Sequence, residues 1–180
     1  MPMQIAFELD DEDLKHFRLI MREARKSAAN APPEVIVAAA NKLLEHVGSI
    51  RVPAFILERL ESLEVMIRML ADQEWRLPEQ DAARVLNALA YFCEPQDLIP
   101  DHIPGIGYLD DAIMIELVRV ELRHEIDAYR DFCTFRESEP ARTGVKARSS
   151  DLTRDDWLDK RRNELQSRMH RRQKRSKLKR

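Results

Sequence analysis

Apolar and small side chains at Leu14, Phe17, Met21, Ala24 and Ala28 recur at spacings of three and four, which places them on one face of a helix. Asp10 stands where an N-cap belongs, with Asp13 three positions on and Leu9 and Leu14 spaced as a hydrophobic staple, so the pattern predicts a first helix ending near Ala28. Pro32 and Pro33 are tolerated only in a first turn, and Ile36, Ala40, Leu43, Leu44 and Val47 continue at helical spacing until Gly48 offers a stop. Pro53 opens a third helix with a seam of Ile56, Leu60, Leu63, Ile67 and Leu70, flanked by Met66 and Met69. That seam is equally suited to burial within one chain or across two copies. Pro78 opens a fourth, with Ala82, Val85, Leu86, Leu89, Phe92 and Cys93 on its apolar face.

Residues 95–107 hold Pro95, Pro100, Pro104, Gly105 and Gly107, too many breakers for regular structure. A fifth helix over 108–136 follows, with a main stripe of Met114, Val118, Leu122, Ile126, Tyr129 and Cys133 and a second of Ile113, Leu117 and Val120. Residues 138–150, polar and aperiodic around Pro140 and Gly144, read as a linker. Beyond it Thr153 can cap a helix with Asp156 at N3, but Trp157, Leu158, Leu165 and Met169 make an apolar face too thin to fold alone. The expected architecture is all-α: a bundle of about five helices in residues 1–137, a linker at 138–150, and a basic helical or disordered tail at 151–180.

Composition agrees with helices and adds a charge pattern. The 180 residues include 4 glycines and 6% aromatics against 34% charged side chains, a poor recipe for a β-barrel. The net charge of −2 conceals a division: residues 160–180 carry eleven Lys and Arg against the single acid Glu164, a balance of +10, which leaves −12 on the rest. No apolar run approaches the roughly 18 to 20 residues that span a bilayer, and the first residues lack the pattern of a secretion signal. Cys93 and Cys133 fit thiols in a reducing compartment; in a hairpin of the fourth and fifth helices they would lie about 20 Å apart, beyond disulfide reach. A cytoplasmic protein is expected.

The most informative stretch is Leu89-Ala90-Tyr91-Phe92-Cys93-Glu94-Pro95-Gln96-Asp97-Leu98-Ile99-Pro100-Asp101-His102-Ile103-Pro104-Gly105-Ile106-Gly107-Tyr108-Leu109-Asp110-Asp111-Ala112. Read by itself it is a rigid turn. Pro100 and Pro104 fix two φ angles, Leu98, Ile99 and Ile103 can tuck beneath as a plug, and Asp97 and Asp101 can accept backbone N–H bonds. Asp110 and Asp111 sit at a helix start, where the dipole favours anions. Pro95, Asp97, Leu98, Ile99, Pro100, Asp101, Ile103, Pro104, Gly107, Asp110 and Asp111 together match a pattern that resembles the YkvA-like family, a bacterial and eukaryotic domain of unknown function. The resemblance covers residues 80 to 120, roughly. Family members often carry a more apolar hairpin than the charge-flanked one here, and the resemblance implies no activity.

Chemistry is sparse. Asp97, Asp101, Asp110 and Asp111 are candidate ligands for Mg²⁺ or Ca²⁺, hence for a metal-dependent hydrolase, although adjacent aspartates point about 100° apart on a helix. The run His124-Glu125-Ile126-Asp127-Ala128 starts like a zinc-protease motif but has Ala128 at the second histidine position. Glu121 and His124, with Asp13 and His16, fall short of a di-iron set. No nucleophile stands with its base, no catalytic residue is assigned and no cofactor is implied, so the reading leans away from an enzyme. Arg168, Arg171, Arg172, Lys174, Arg175, Lys177, Lys179 and Arg180 are candidate polyanion contacts. The expected role is an interaction or adaptor protein whose tail touches nucleic acid without reading sequence, an acidic protein, or an anionic membrane surface.

Overall fold

Local signals start the helices. In a computed structural model covering residues 6, 8–93, 98–103, 106–146 and 153–179, with side chains described to 138 and again from 153, Asp10 caps helix α1 (Asp11–Ser27). Its carboxylate accepts from the amides of Glu12 at 2.7 Å and Asp13 at 3.0 Å, and Asp13 answers by accepting from the Asp10 amide. Helix α2 (Pro33–Gly48) places Pro33 in its first turn, where a missing N–H costs nothing. Helix α3 is Ala54–Ala71 and α4 is Glu79–Leu89, continued by a 3₁₀ turn over Ala90–Cys93. The fifth predicted helix is two: α5 (Leu109–Glu121) and α6 (Arg123–Lys146). Helix α7 (Arg154–Leu178) opens with the expected Thr153–Asp156 capping box. All regular structure among the described residues is helical, and none of these helices is long and apolar enough to cross a membrane.

The residues group into two units. In the first, residues 1–64 with 86–118, α1 and α2 pack against the 3₁₀ turn, and Ile56, Leu63, Leu89, Met114 and Ile115 are fully buried. In the second, residues 65–85 with 119–180, α6 and α7 run along each other over a core that includes Trp75, Leu122, Ile126, Phe132, Leu165 and Met169. Its keystone is the connection from α3 to α4. Asp72 Oδ1 accepts from the amides of Glu74 at 2.9 Å and Trp75 at 3.0 Å, turning the chain so that Trp75 lies within 5.2 Å of the Phe132 ring centre and 5.8 Å of that of Tyr129. Asp72 Oδ2 accepts from the Tyr129 hydroxyl at 2.9 Å and from Arg136 at 2.8 Å. Arg76 then takes a left-handed φ of 48°.

Several expectations need correction. Gly48 ends α2 rather than following it, and a Cβ there would meet nothing within 4 Å, so the position does not require glycine. The second stripe on the fifth helix holds only in part: Ile113 and Leu117 are half-buried and Val120 is exposed, whereas Ile115 and Phe132, which no stripe included, are fully buried. The single long helix is interrupted at Leu122, which stays in the core. Helix α6 runs on to Lys146, through positions that sequence composition reads as linker.

Burial pushes the Asp72 carboxyl up, but the Trp75 amide, the Tyr129 hydroxyl and Arg136 outweigh it and hold it below the ordinary carboxylate value. The resulting stability is present above that ordinary value and is lost as pH falls through the depressed one. Asp72→Ala will cost about 2–4 kcal/mol in urea unfolding at pH 7, because it removes one partner of a mostly buried pair and two turn bonds. The deficit relative to the parent will narrow at about pH 3, where protonation weakens the parent's own pair.

Candidate functional site

The Pro-rich turn is closed by one carboxylate. Asp110, the second residue of α5, is 1% exposed, and its Oδ2 accepts from the amides of Leu98 at 2.8 Å and Ile99 at 3.1 Å. A buried carboxylate that accepts two amides from eleven and twelve residues away ties the turn to the helix that follows it. Gly107 supports the same geometry by absence of a side chain: a Cβ there would come within 2.7 Å of the Asp101 carbonyl carbon and closer to its oxygen. The intervening chain is tightened by Ile103 N–H donating to Pro100 and Gly107 N–H donating to Ile103. Tyr108, buried, sits with its ring 6.2 Å from that of His46 on α2.

The remaining motif residues divide. Asp111 is buried and Asp101 half-buried, while Pro100 is exposed and Ile99 and Ile103 are half-buried. Leu98 is exposed, as is Ile106, so the plug expected beneath the turn is only partial. Pro95, Asp97 and Pro104 lie outside the described residues. Among those described, no three Asp, Glu, His or Cys side chains are arranged to hold a metal ion. Asp110→Ala will lower stability by about 2–3 kcal/mol, because it strands two amides in a part-buried turn, whereas Asp110→Asn keeps one acceptor oxygen and will cost about 1 kcal/mol. Urea titration at pH 7 separates the two.

Helix α7 sorts its cations by position. In its first four turns the arginines are taken up by the protein itself, while Lys160 is exposed: Arg154 bonds Glu74 at 2.7 Å, Arg161 bonds Glu164 at 3.0 Å, Arg162 bonds Asp159 at 2.7 Å and the Glu74 carbonyl at 3.2 Å, and Arg168 bonds Asp131 at 2.7 Å. Gln166 donates to the carbonyls of Trp75 at 2.9 Å and Arg76 at 3.2 Å, seating the helix on the α3–α4 connection. From Arg171 on the arrangement changes. Arg171, Arg172, Lys174, Arg175, Lys177 and Lys179 are all exposed, and Leu178 beside them is 80% exposed. Arg168, a candidate polyanion contact by sequence, is paired with Asp131; Arg180 lies outside the described residues.

A polar cluster escaped the sequence reading. Asp81 on α4 is 3% exposed and bonds His170 at 2.7 Å and Gln173 at 3.1 Å, and Glu125 on α6 is fully buried against Arg84. Burial pushes the Glu125 carboxyl up, with Asp81 adding to the effect and Arg84 opposing it. The available signal was phase: Asp81 lies four residues before Val85 and Glu125 three after Leu122, both core positions.

With this geometry in place, the likeness to known proteins can be located. Residues 82–117 match the family described as "Protein of unknown function (DUF1232)". The chain is 29% identical over 76 residues to the "Uncharacterized membrane protein YkvA" of Bacillus subtilis (strain 168), an alignment covering 39% of this chain and 70% of that protein. No solved structure matches the chain. The matched stretch runs from α4 through the turn into α5 and contains both the Asp110 lock and Gly107, so it is residues 82–117 that carry the similarity to the YkvA-like proteins of unknown function.

Proposed function

We propose that the protein is a non-enzymatic interaction protein whose basic end, Arg171 to Lys179, engages a polyanionic partner, with a nucleic-acid strand as the first candidate. The observation that carries this reading is the sorting along α7. Arginines of the first turns neutralise the protein's own carboxylates, and those after Met169 point to solvent. Six exposed cations within nine residues form an electrostatic footprint that gains affinity by releasing counterions from phosphates. No stacking platform accompanies them, since Trp157 is half-buried near the other end of the helix; sequence-independent contact is therefore the mode that fits.

A second reading, attachment to an anionic membrane surface, is supported by the description of the Bacillus subtilis relative as a membrane protein and by the exposure of Leu178 among the lysines. Flotation with phosphatidylserine vesicles tests it: association lost on replacing the four cations named below favours that reading, and its absence rejects it.

Fluorescence anisotropy with a labelled single-stranded oligonucleotide of about 20 residues tests the main reading. Replacing Lys174, Arg175, Lys177 and Lys179 together by Gln will weaken binding by about tenfold or more at low salt and reduce the slope of log K against log salt by about 3, from roughly 0.7 per neutralised phosphate. Undetectable binding by the parent at 50 mM salt, or binding that the four substitutions leave unchanged, rejects it.

A further inference from the structure

Where α7 ends against the start of α6, the second unit gathers cations around one hydroxyl. Ser176 Oγ lies 2.9 Å from His124 Nε2 and 3.3 Å from the Arg123 guanidinium, whose Nε is itself 3.4 Å from the same histidine nitrogen. The bonds that Arg123 makes here therefore go to uncharged acceptors. Arg172, one turn before Ser176 on α7, and Arg84 from α4 add positive charge close enough to act on the His124 ring. Against them stand Asp127 on α6 and the Glu125 carboxylate, which is committed to Arg84. Burial and the surrounding guanidiniums hold His124 below the ordinary histidine range, so the imidazole resists adding another charge to an already positive neighbourhood.

Such a neighbourhood is unfavourable by itself and becomes favourable when an anion enters. A planar guanidinium fork, an imidazole nitrogen and a rotatable hydroxyl are the donors that a tetrahedral oxyanion accepts. We propose that Arg123, His124, Arg172 and Ser176 form a binding site for a phosphate group. The site rests on the polyanion reading only in that Arg172 serves both, and it names the group recognised. The His124 ring donates to one phosphate oxygen, Arg123 to a second, and Ser176 turns its proton outward, while Arg172 closes the site from α7. Because the bound anion favours imidazolium, phosphate binding and His124 protonation are linked and each strengthens the other.

The test uses the full chain and the His124 Cε1–H resonance during titration with inorganic phosphate at constant ionic strength, with chloride as the compensating salt. A saturable shift is expected, together with a rise in the His124 titration midpoint of about one pH unit when phosphate saturates the site. Arg123→Ala and Ser176→Ala will each weaken the apparent affinity by about tenfold. Sedimentation with phosphatidic acid vesicles separates the sources: pelleting that Arg123→Ala abolishes assigns the phosphate to a lipid headgroup, and a phosphate-induced shift without pelleting assigns it to a soluble ligand. A shift that is linear in phosphate, or one that both variants reproduce, overturns the proposal. The polyanion reading fails separately, through the oligonucleotide affinity of the four-fold Gln variant, in which Arg123, His124, Arg172 and Ser176 are intact.

Discussion

The seat that the α3–α4 connection offers to α7 is the constraint on which the functional reading depends. A helix of mean basic character with three fully or nearly buried apolar side chains, Leu158, Leu165 and Met169, has too little apolar area to hold itself against a core. What completes the attachment is hydrogen bonding to main-chain acceptors. Asp72 turns the backbone, Trp75 anchors it beneath Tyr129 and Phe132, and the left-handed Arg76 follows, so the carbonyls of Glu74, Trp75 and Arg76 are within reach of Arg162 and Gln166. Polar side chains that would otherwise repel one another along a basic helix are thereby given partners. The helix is seated mainly by its first five turns, and its last two, where Ser176 bonds His124 and Arg123, project cations.

The Pro-rich turn works by the same economy at smaller scale. Asp110 is a buried carboxylate whose Oδ2 is met by two backbone amides, and Gly107 lets the backbone approach the Asp101 carbonyl where no side chain would fit. Both features secure the chain's reversal, and neither requires a reaction. The match to a family of unknown function covers the stretch in which they occur, and a conformational role accounts for those two residues as they stand.

Local features were legible in the sequence, and distant pairings were not. The capping boxes at Asp10 and Thr153 and the first-turn Pro33 depend on neighbours within four residues, so spacing alone found them. Stripes located Met114, Val118, Leu122 and Ile126 correctly because a single face dominates there. The break at Leu122 has no proline or glycine to announce it. The buried pairing of Asp81 and Glu125 was not legible because their partners, His170 and Arg84, lie 89 and 41 positions away in the chain. Likewise the sequence showed a basic tail but gave no means of telling the arginines that face inward from those that do not, since that depends on Asp131 and on the carbonyls of residues 74–76.

Hydrogen exchange along α7, read by mass spectrometry on the intact protein, probes this division directly. Amides from Leu158 through Gln173 will be protected to nearly the same degree as those of α6, and those from Lys174 onward will exchange faster by about two orders of magnitude or more. Uniformly rapid exchange from Arg154 to Leu178 would mean that the helix is not seated, and protection as strong at Lys177 as at Leu165 would mean that its basic end is not presented to solvent.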